Sequence, residues 1–208
     1  MLIIYTGLGK GKTTAAVGAV IRSVGWKKRV ALVQFVKHES WPSGEREVLR
    51  KLGVDVFVMG KSWVGIMGDK KEIGIHKKAA AEGIELIIKL INETIKTNKT
   101  NKLDKSGLRS SVAPLPAGLK SNKANKPITQ YDLVVCDEIL GALFGKLITK
   151  KDIENILNTL YKIPNTDLIF TGQNAPEWLI GKADLVTEMK KIKHPYDKGI
   201  IAKKGIDY

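Results

Sequence analysis

The stretch Tyr5-Thr6-Gly7-Leu8-Gly9-Lys10-Gly11-Lys12-Thr13-Thr14 constrains the fold more than any other part of the chain. The apolar run Leu2-Ile3-Ile4 before it suits a buried strand, and Ala15-Ala16-Val17-Gly18-Ala19-Val20-Ile21-Arg22 after it reads as a helix. Strand, glycine-rich turn, Lys-Thr and helix in succession form the pattern of a phosphate-binding loop. Gly7, Gly9 and Gly11 let backbone N–H groups of the turn, Leu8, Lys10 and Thr14 among its residues, converge on phosphate oxygens. The helix N-terminus adds the positive end of its dipole. Lys12 is placed to reach phosphate charge, and the Thr13 hydroxyl to ligate a Mg²⁺ that bridges phosphates. A nucleoside triphosphate site is the expectation.

One position departs from the general formula G-x-x-x-x-G-K-[ST]. Counting back from Gly11 puts Thr6 where the first glycine belongs. A β-branched residue is stiff and ill suited to positive φ. The loop is therefore expected to leave the strand along a different path, so that the phosphates need not lie as they do in kinases.

The rest of the chain alternates strand-like and helix-like segments, which implies a parallel sheet covered by helices. Strands are expected over Arg29–Val36, Val54–Met59, Asp132–Cys136, Asp167–Thr171 and Leu185–Thr187, with a short last one near Ile200. Helices are expected over Glu45–Leu52, Lys151–Tyr161 and Pro176–Lys182. From His76 to Lys96, apolar residues at 80, 84, 87, 88, 91 and 95 recur at helical spacing and predict one long amphipathic helix. The fold class is α/β, a RecA-like P-loop sheet flanked by helices, in one domain over 1–208. Tyr131-Asp132-Leu133-Val134-Val135-Cys136-Asp137-Glu138 has the form of a Walker B strand, apolar and ending in acids. Asp137 and Glu138 are expected beside Thr13, supplying oxygen to Mg²⁺. Phe170-Thr171-Gly172-Gln173-Asn174, at the same sheet edge, adds polar contacts or simply turns the chain.

Charge needs a separate reading. The chain of 208 residues carries a formal +14. Lys96 to Pro127 holds seven Lys and one Arg against Asp104 alone, which is half of that surplus. This Asn/Lys-rich stretch has no aromatic to stack on bases, so 97–130 reads as a solvated, poorly ordered insertion outside the core, with nucleic acid not expected. No apolar run approaches the ~20 residues of a membrane span. Met1 directly before the first strand leaves no room for a targeting segment, and the lone Cys136 lies in an apolar run, so the cytoplasm is expected. The three histidines, at 38, 76 and 194, have no metal-ligand spacing. A strong triphosphate site without an evident general base suits a nucleophile that carries no proton.

In an ordered series of motifs the chain resembles the P-loop ATP:corrinoid adenosyltransferases. They are Y-T-G-L-G-K-G-K-T-T-A-A at 5–16, with Thr6 in the same off-formula place, Arg22, V-Q-F-V-K at 33–37 and W-P-S-G-E at 41–45. The series continues with D-L-V-V-C-D-E at 132–138, T-G-Q-N-A-P at 171–176, A-D-L-V-T-E-M at 183–189 and K-H-P-Y-D-K-G-I-I-A-K-K-G-I-D-Y at 193–208. The resemblance implies transfer of the 5′-deoxyadenosyl group of ATP to the cobalt of a reduced corrinoid, with release of triphosphate. It implies that ATP lies reversed across the loop, with Lys12, Lys10 and Mg²⁺ stabilising the leaving group and Thr13 and Glu138 sharing in catalysis. Arg22 is implied as a further phosphate contact and Trp63 as the aromatic near the lower face of the corrin. A homodimer and a flavodoxin-like or other acidic reductase are the implied partners. Lys61, Gln173 and Lys203 depart from the family pattern, where an aromatic, an arginine and a glutamine are common. Two competing readings remain at this point: a RecA-like nucleic-acid-stimulated ATPase, which leaves the C-terminal motif unexplained, and a nucleoside kinase, which needs a base.

Overall fold

A computed structural model of the chain describes residues 1–61, 72–101, 131–163 and 165–207. In chain order the elements are β1 (Leu2–Thr6), α1 (Lys12–Gly25), β2 (Val30–Gln34), α2 (Gly44–Lys51), β3 (Asp55–Val58) and α3 (Ile73–Asn101). They continue as β4 (Leu133–Asp137), α4 (Ile139–Phe144), α5 (Lys150–Leu160), β5 (Asp167–Thr171), α6 (Glu177–Ile180) and β6 (Leu185–Glu188), and a 3₁₀ turn covers Pro195–Lys198. The six strands make one sheet in the order β3-β2-β4-β5-β1-β6, every pair parallel. The α/β class with a parallel sheet is as the sequence implied.

Strands covered on both faces read as continuous apolar runs, because each side chain meets a helix whichever way it points. β2 and β4, buried along their whole length, are the two strands that do so most fully. Ala31, Val33, Val134 and Cys136 pack on one face with α3 and α5, through Ile84, Ile87, Ile91, Ile153 and Ile156. Val30, Leu32, Leu133 and Val135 pack on the other with Ala16, Val20 and Leu49 of α1 and α2. α5 starts on a capping box, in which the Thr149 hydroxyl accepts from the Asp152 N–H and the Asp152 carboxylate accepts from the Thr149 N–H. β6 is the exposed edge.

The order of the strands is what builds the site. β5 lies between β1 and β4, so the C-terminal ends of all three, at Thr6, Thr171 and Asp137, stand side by side. Gln34 ends β2 in register with Asp137. Ligands of parallel sheets bind beyond such carboxyl ends, where the direction of winding reverses.

Three expectations change. No strand forms near Ile200: the 3₁₀ turn, Gly199 at φ 71° and Gly205 at φ 81° break extended backbone there. α3 runs to Asn101, five residues into the stretch read as insertion, since no glycine or proline stops it before Gly107. α4 was not expected, because six residues are too few to show a period. The remainder of the basic stretch lies outside the described residues.

Candidate functional site

The glycine-rich loop is shaped by what lies behind it. Thr6 stays in the strand, accepting from the Ala175 N–H through its hydroxyl at 3.2 Å and from the Met189 N–H through its carbonyl at 2.8 Å. The chain turns first at Gly7, φ 100°, and again at Gly11, φ 109°. Thr6 is thus accommodated in the strand, and the turn begins at Gly7, one residue after the place the formula gives its first glycine. Gly9 donates its N–H to the Met189 carbonyl at 2.6 Å. A Cβ on Gly9 would stand 2.7 Å from the Met189 oxygen and 2.8 Å from the Lys190 oxygen, so this glycine serves close approach of two backbones. Gly9→Ala is expected to cost about 1–3 kcal/mol through overpacking. A lowered midpoint in urea with an unchanged slope would register it.

Lys12 is buried at the first turn of α1. Its ammonium donates to the Gly7 carbonyl at 2.9 Å and the Gly9 carbonyl at 2.7 Å, curling over the loop. Burial lowers its pKa, and the charges of Glu138 and Asp137 oppose that shift. Thr13 donates its hydroxyl to Asp137 Oδ1 at 2.8 Å across 124 residues of sequence, the juxtaposition expected of the two motifs. Thr171 donates to the same oxygen at 2.7 Å, and Gln34 Nε2 to Oδ2 at 2.9 Å. Lys37 stands 3.6 Å from Asp137 and 3.3 Å from Glu45. Asp137 itself is fully buried.

Glu138 follows in the left-handed region, φ 60°, and donates its N–H to the Thr171 hydroxyl at 2.9 Å. Burial, and then the neighbouring charge of Asp137, push its carboxyl up to about 7. Cys136, fully buried one residue earlier, has its thiol raised by burial and is inert packing.

The remaining candidates fall further out. Leu8 is 63% exposed at the loop tip. Lys10 is ion-paired with Asp207, which brings the C-terminal segment onto the loop. Thr14 is exposed in the first turn of α1. Arg22 is exposed in its last turn, about 15 Å along the axis from Lys12, so the structure does not bring the two together. Trp63 lies outside the described residues. Lys61 and Gln173 are both exposed.

Gln34, Lys37 and Arg46 were given no role by sequence reasoning, and Thr171, left between a polar contact and a turn, makes the contact. The available signal was a polar residue ending an otherwise apolar strand, as at Gln34 and Thr171. Among the described residues no group of three or more His, Cys, Asp or Glu could hold a metal by itself. Mg²⁺ needs no such cage: it takes one or two carboxylates and completes its shell with phosphate oxygens and water. The Thr13 hydroxyl, Asp137 and Glu138 fit that requirement.

The model of the family ATP:corrinoid adenosyltransferase BtuR/CobO/CobP matches residues 1–208. The chain is 30% identical over 210 residues to the corrinoid adenosyltransferase CobA of Salmonella typhimurium, covering all of this chain and 85% of that one. It is 28% identical to the corrinoid adenosyltransferase of Escherichia coli K12, with the same coverage, and 30% identical to that of a Sinorhizobium species, of which it covers 80%. With the off-formula loop and the Thr13–Asp137 pair on its sheet edge, the chain belongs to the ATP:corrinoid adenosyltransferase family.

Proposed function

We propose that the protein transfers the 5′-deoxyadenosyl group of ATP to the Co(I) of a reduced corrinoid in cobalamin metabolism. The electron pair of Co(I) attacks C5′, the cobalt–carbon bond forms, and the C5′–O5′ bond breaks with its electrons leaving on triphosphate. The nucleophile brings no proton, so positioning and leaving-group stabilisation suffice. The observation that carries the reading is the Lys12 ammonium over a loop joined through Thr13 to a buried Asp137.

Triphosphate entering the loop would take the place of the Gly7 and Gly9 carbonyls at Lys12 Nζ, where charge growing on the leaving group is met by a buried cation. Mg²⁺, when bound, neutralises phosphate charge. Thr13, Asp137 and Glu138 are the residues proposed to hold it. Trp63 keeps its proposed role toward the corrin, while Arg22, about 15 Å along α1 from Lys12, is given none toward a triphosphate over this loop. The single domain is proposed to span 1–208, in the cytoplasm. Among the described residues no helix is long and apolar enough to cross a membrane. A second copy of the chain and an acidic reductase are the proposed partners. Ile192, Tyr196, Ile201 and Ile206, each at least 73% exposed, support the first, and the +14 charge supports the second. The nucleic-acid-stimulated ATPase reading is dropped, since the relatives carry adenosyltransferase names.

With ATP, Mg²⁺ and chemically reduced cobalamin, the purified protein is expected to form a light-sensitive alkyl–cobalt product and an equal amount of triphosphate. ADP and orthophosphate as the only products would refute the assignment.

A further inference from the structure

A line of polar contacts leads from Asp137 away from the loop and into the body of the protein. Gln34 stands beside Asp137 in the sheet, and neither side chain has any exposure. Gln34 Nε2 donates to Asp137 Oδ2 at 2.9 Å, and Gln34 Oε1 accepts from Arg46 Nε at 2.5 Å. The two ends of a glutamine amide are not equivalent, and a guanidinium can only donate. Arg46 therefore draws Oε1 toward itself, which leaves the amide NH₂ facing the carboxylate. Turned by half a rotation, the amide would set oxygen against a carboxylate oxygen and N–H against N–H. Oδ1 meanwhile takes the hydroxyls of Thr13 and Thr171. Both oxygens of Asp137 are thus held, one by two threonines and the other by a glutamine whose orientation Arg46 dictates.

Arg46 does more than face Gln34. It lies in α2, 3% exposed, and Nη1 donates to the carbonyls of His38 at 3.0 Å, Trp41 at 3.3 Å and Glu39 at 3.4 Å. The loop after β2 is therefore wrapped around the same guanidinium. Nη2 is buried without a partner among the described residues. A buried cation with an unpaired N–H group is a poor device for stability alone, because desolvation is only partly offset. Its arrangement suits the orienting of another group.

We propose that Arg46 is a positioning residue for the adenosyl transfer. Through Gln34 it sets the carboxylate plane of Asp137 toward the metal side, and through Nη1 it ties that carboxylate to the loop carrying Trp41. The inference rests on Asp137 being a metal-side ligand, as proposed above.

The test uses the full-length protein, with Mn²⁺ as a paramagnetic substitute for Mg²⁺. Mn²⁺ affinity at saturating ATP is read by electron paramagnetic resonance, and affinity for ATP in EDTA by calorimetry. Arg46→Lys keeps the charge but cannot serve Gln34 and three carbonyls together. Gln34→Met keeps the shape and removes the donor to Asp137. Residues that orient a metal ligand typically change metal affinity by about 10–100-fold, so each variant is expected to weaken Mn²⁺ by about tenfold or more. ATP affinity in EDTA should stay within about twofold. The double variant should lose no more than the worse single one, because Arg46 acts through Gln34. Additive losses, an unchanged Mn²⁺ affinity, or an equal loss of metal-free ATP binding would overturn the proposal. Each single variant decides on the metal-selective criterion, so misfolding of one leaves the other to answer. Asp137→Asn separates the two levels. If it leaves Mn²⁺ affinity unchanged, the metal-side reading of Asp137 falls; if it alone weakens Mn²⁺, only the role of Arg46 falls.

Discussion

Lys12→Ala is expected to lower kcat/KM by about 10²–10³, the equivalent of 2–4 kcal/mol of transition-state stabilisation. Three observations set that size. The ammonium is buried, it is held over the loop by the Gly7 and Gly9 carbonyls, and it stands at the first residue of α1. A charge so screened from water acts on a leaving triphosphate with little attenuation. The same truncation at Lys10 should matter far less, since that side chain is close to half exposed and already paired with Asp207. Initial rates of alkyl–cobalt formation against ATP concentration check both variants. A Lys12→Ala enzyme within about threefold of the parent would mean that the triphosphate does not lie over this loop.

Glu138 carries the second large effect, one of pH. Its carboxyl is raised from an ordinary value of 4.5 to about 7 in the folded protein, by burial first and by Asp137 second. Between those values the folded state holds a proton that the unfolded chain has released. Stability is then fully present below pH 4.5 and falls as pH rises through 7. A shift of this size corresponds to about 3 kcal/mol. Glu138→Gln cannot titrate, so in EDTA and without ATP its stability relative to the parent should rise by about 3 kcal/mol from pH 4 to pH 8. Urea unfolding across that range reads the difference, and acids not coupled to Glu138 cancel between the two proteins. A difference that stays flat would show that Glu138 is ordinary in the folded state. Added Mg²⁺ and ATP should shrink the gap, because a divalent cation favours the ionised carboxylate. The two predictions are coupled. Lys12 is among the charges that pull the Glu138 value down, so Lys12→Ala should move the transition toward higher pH.

The glycine-rich loop and its place before a helix were legible in the chain because their elements are local. Glycine spacing, a Lys-Thr pair and a following helix lie within ten residues or so, and each reports its own backbone requirement. The Walker B strand was legible for a similar reason: five buried residues, Leu133–Asp137, need covering on both faces, and Glu138 follows directly. Even the contact between Thr13 and Asp137, 124 positions apart, followed from two motifs expected at one edge of the sheet. Thr6, in place of the first glycine, fits a turn that begins at Gly7.

Other features had only a faint local trace. Gln34 and Thr171 look like ordinary strand ends, and Arg46 like one more charge on a short polar helix. Their roles depend on which strands are neighbours and in what register, which is decided by the pairing of segments far apart in the chain. The end of the protein misled for a related reason. Ile200 and Ile201 have the composition of a strand, yet a strand needs a partner edge, and the turns around Pro195 and Gly199 give it none. What chemistry this chain can hold was therefore written in its residue types and spacings, since phosphate, metal and glycine geometry make demands over a few residues. How that chemistry is oriented was decided only in the folded sheet, where β5 inserted between β1 and β4 brings a buried carboxylate under the control of two threonines, a glutamine and an arginine.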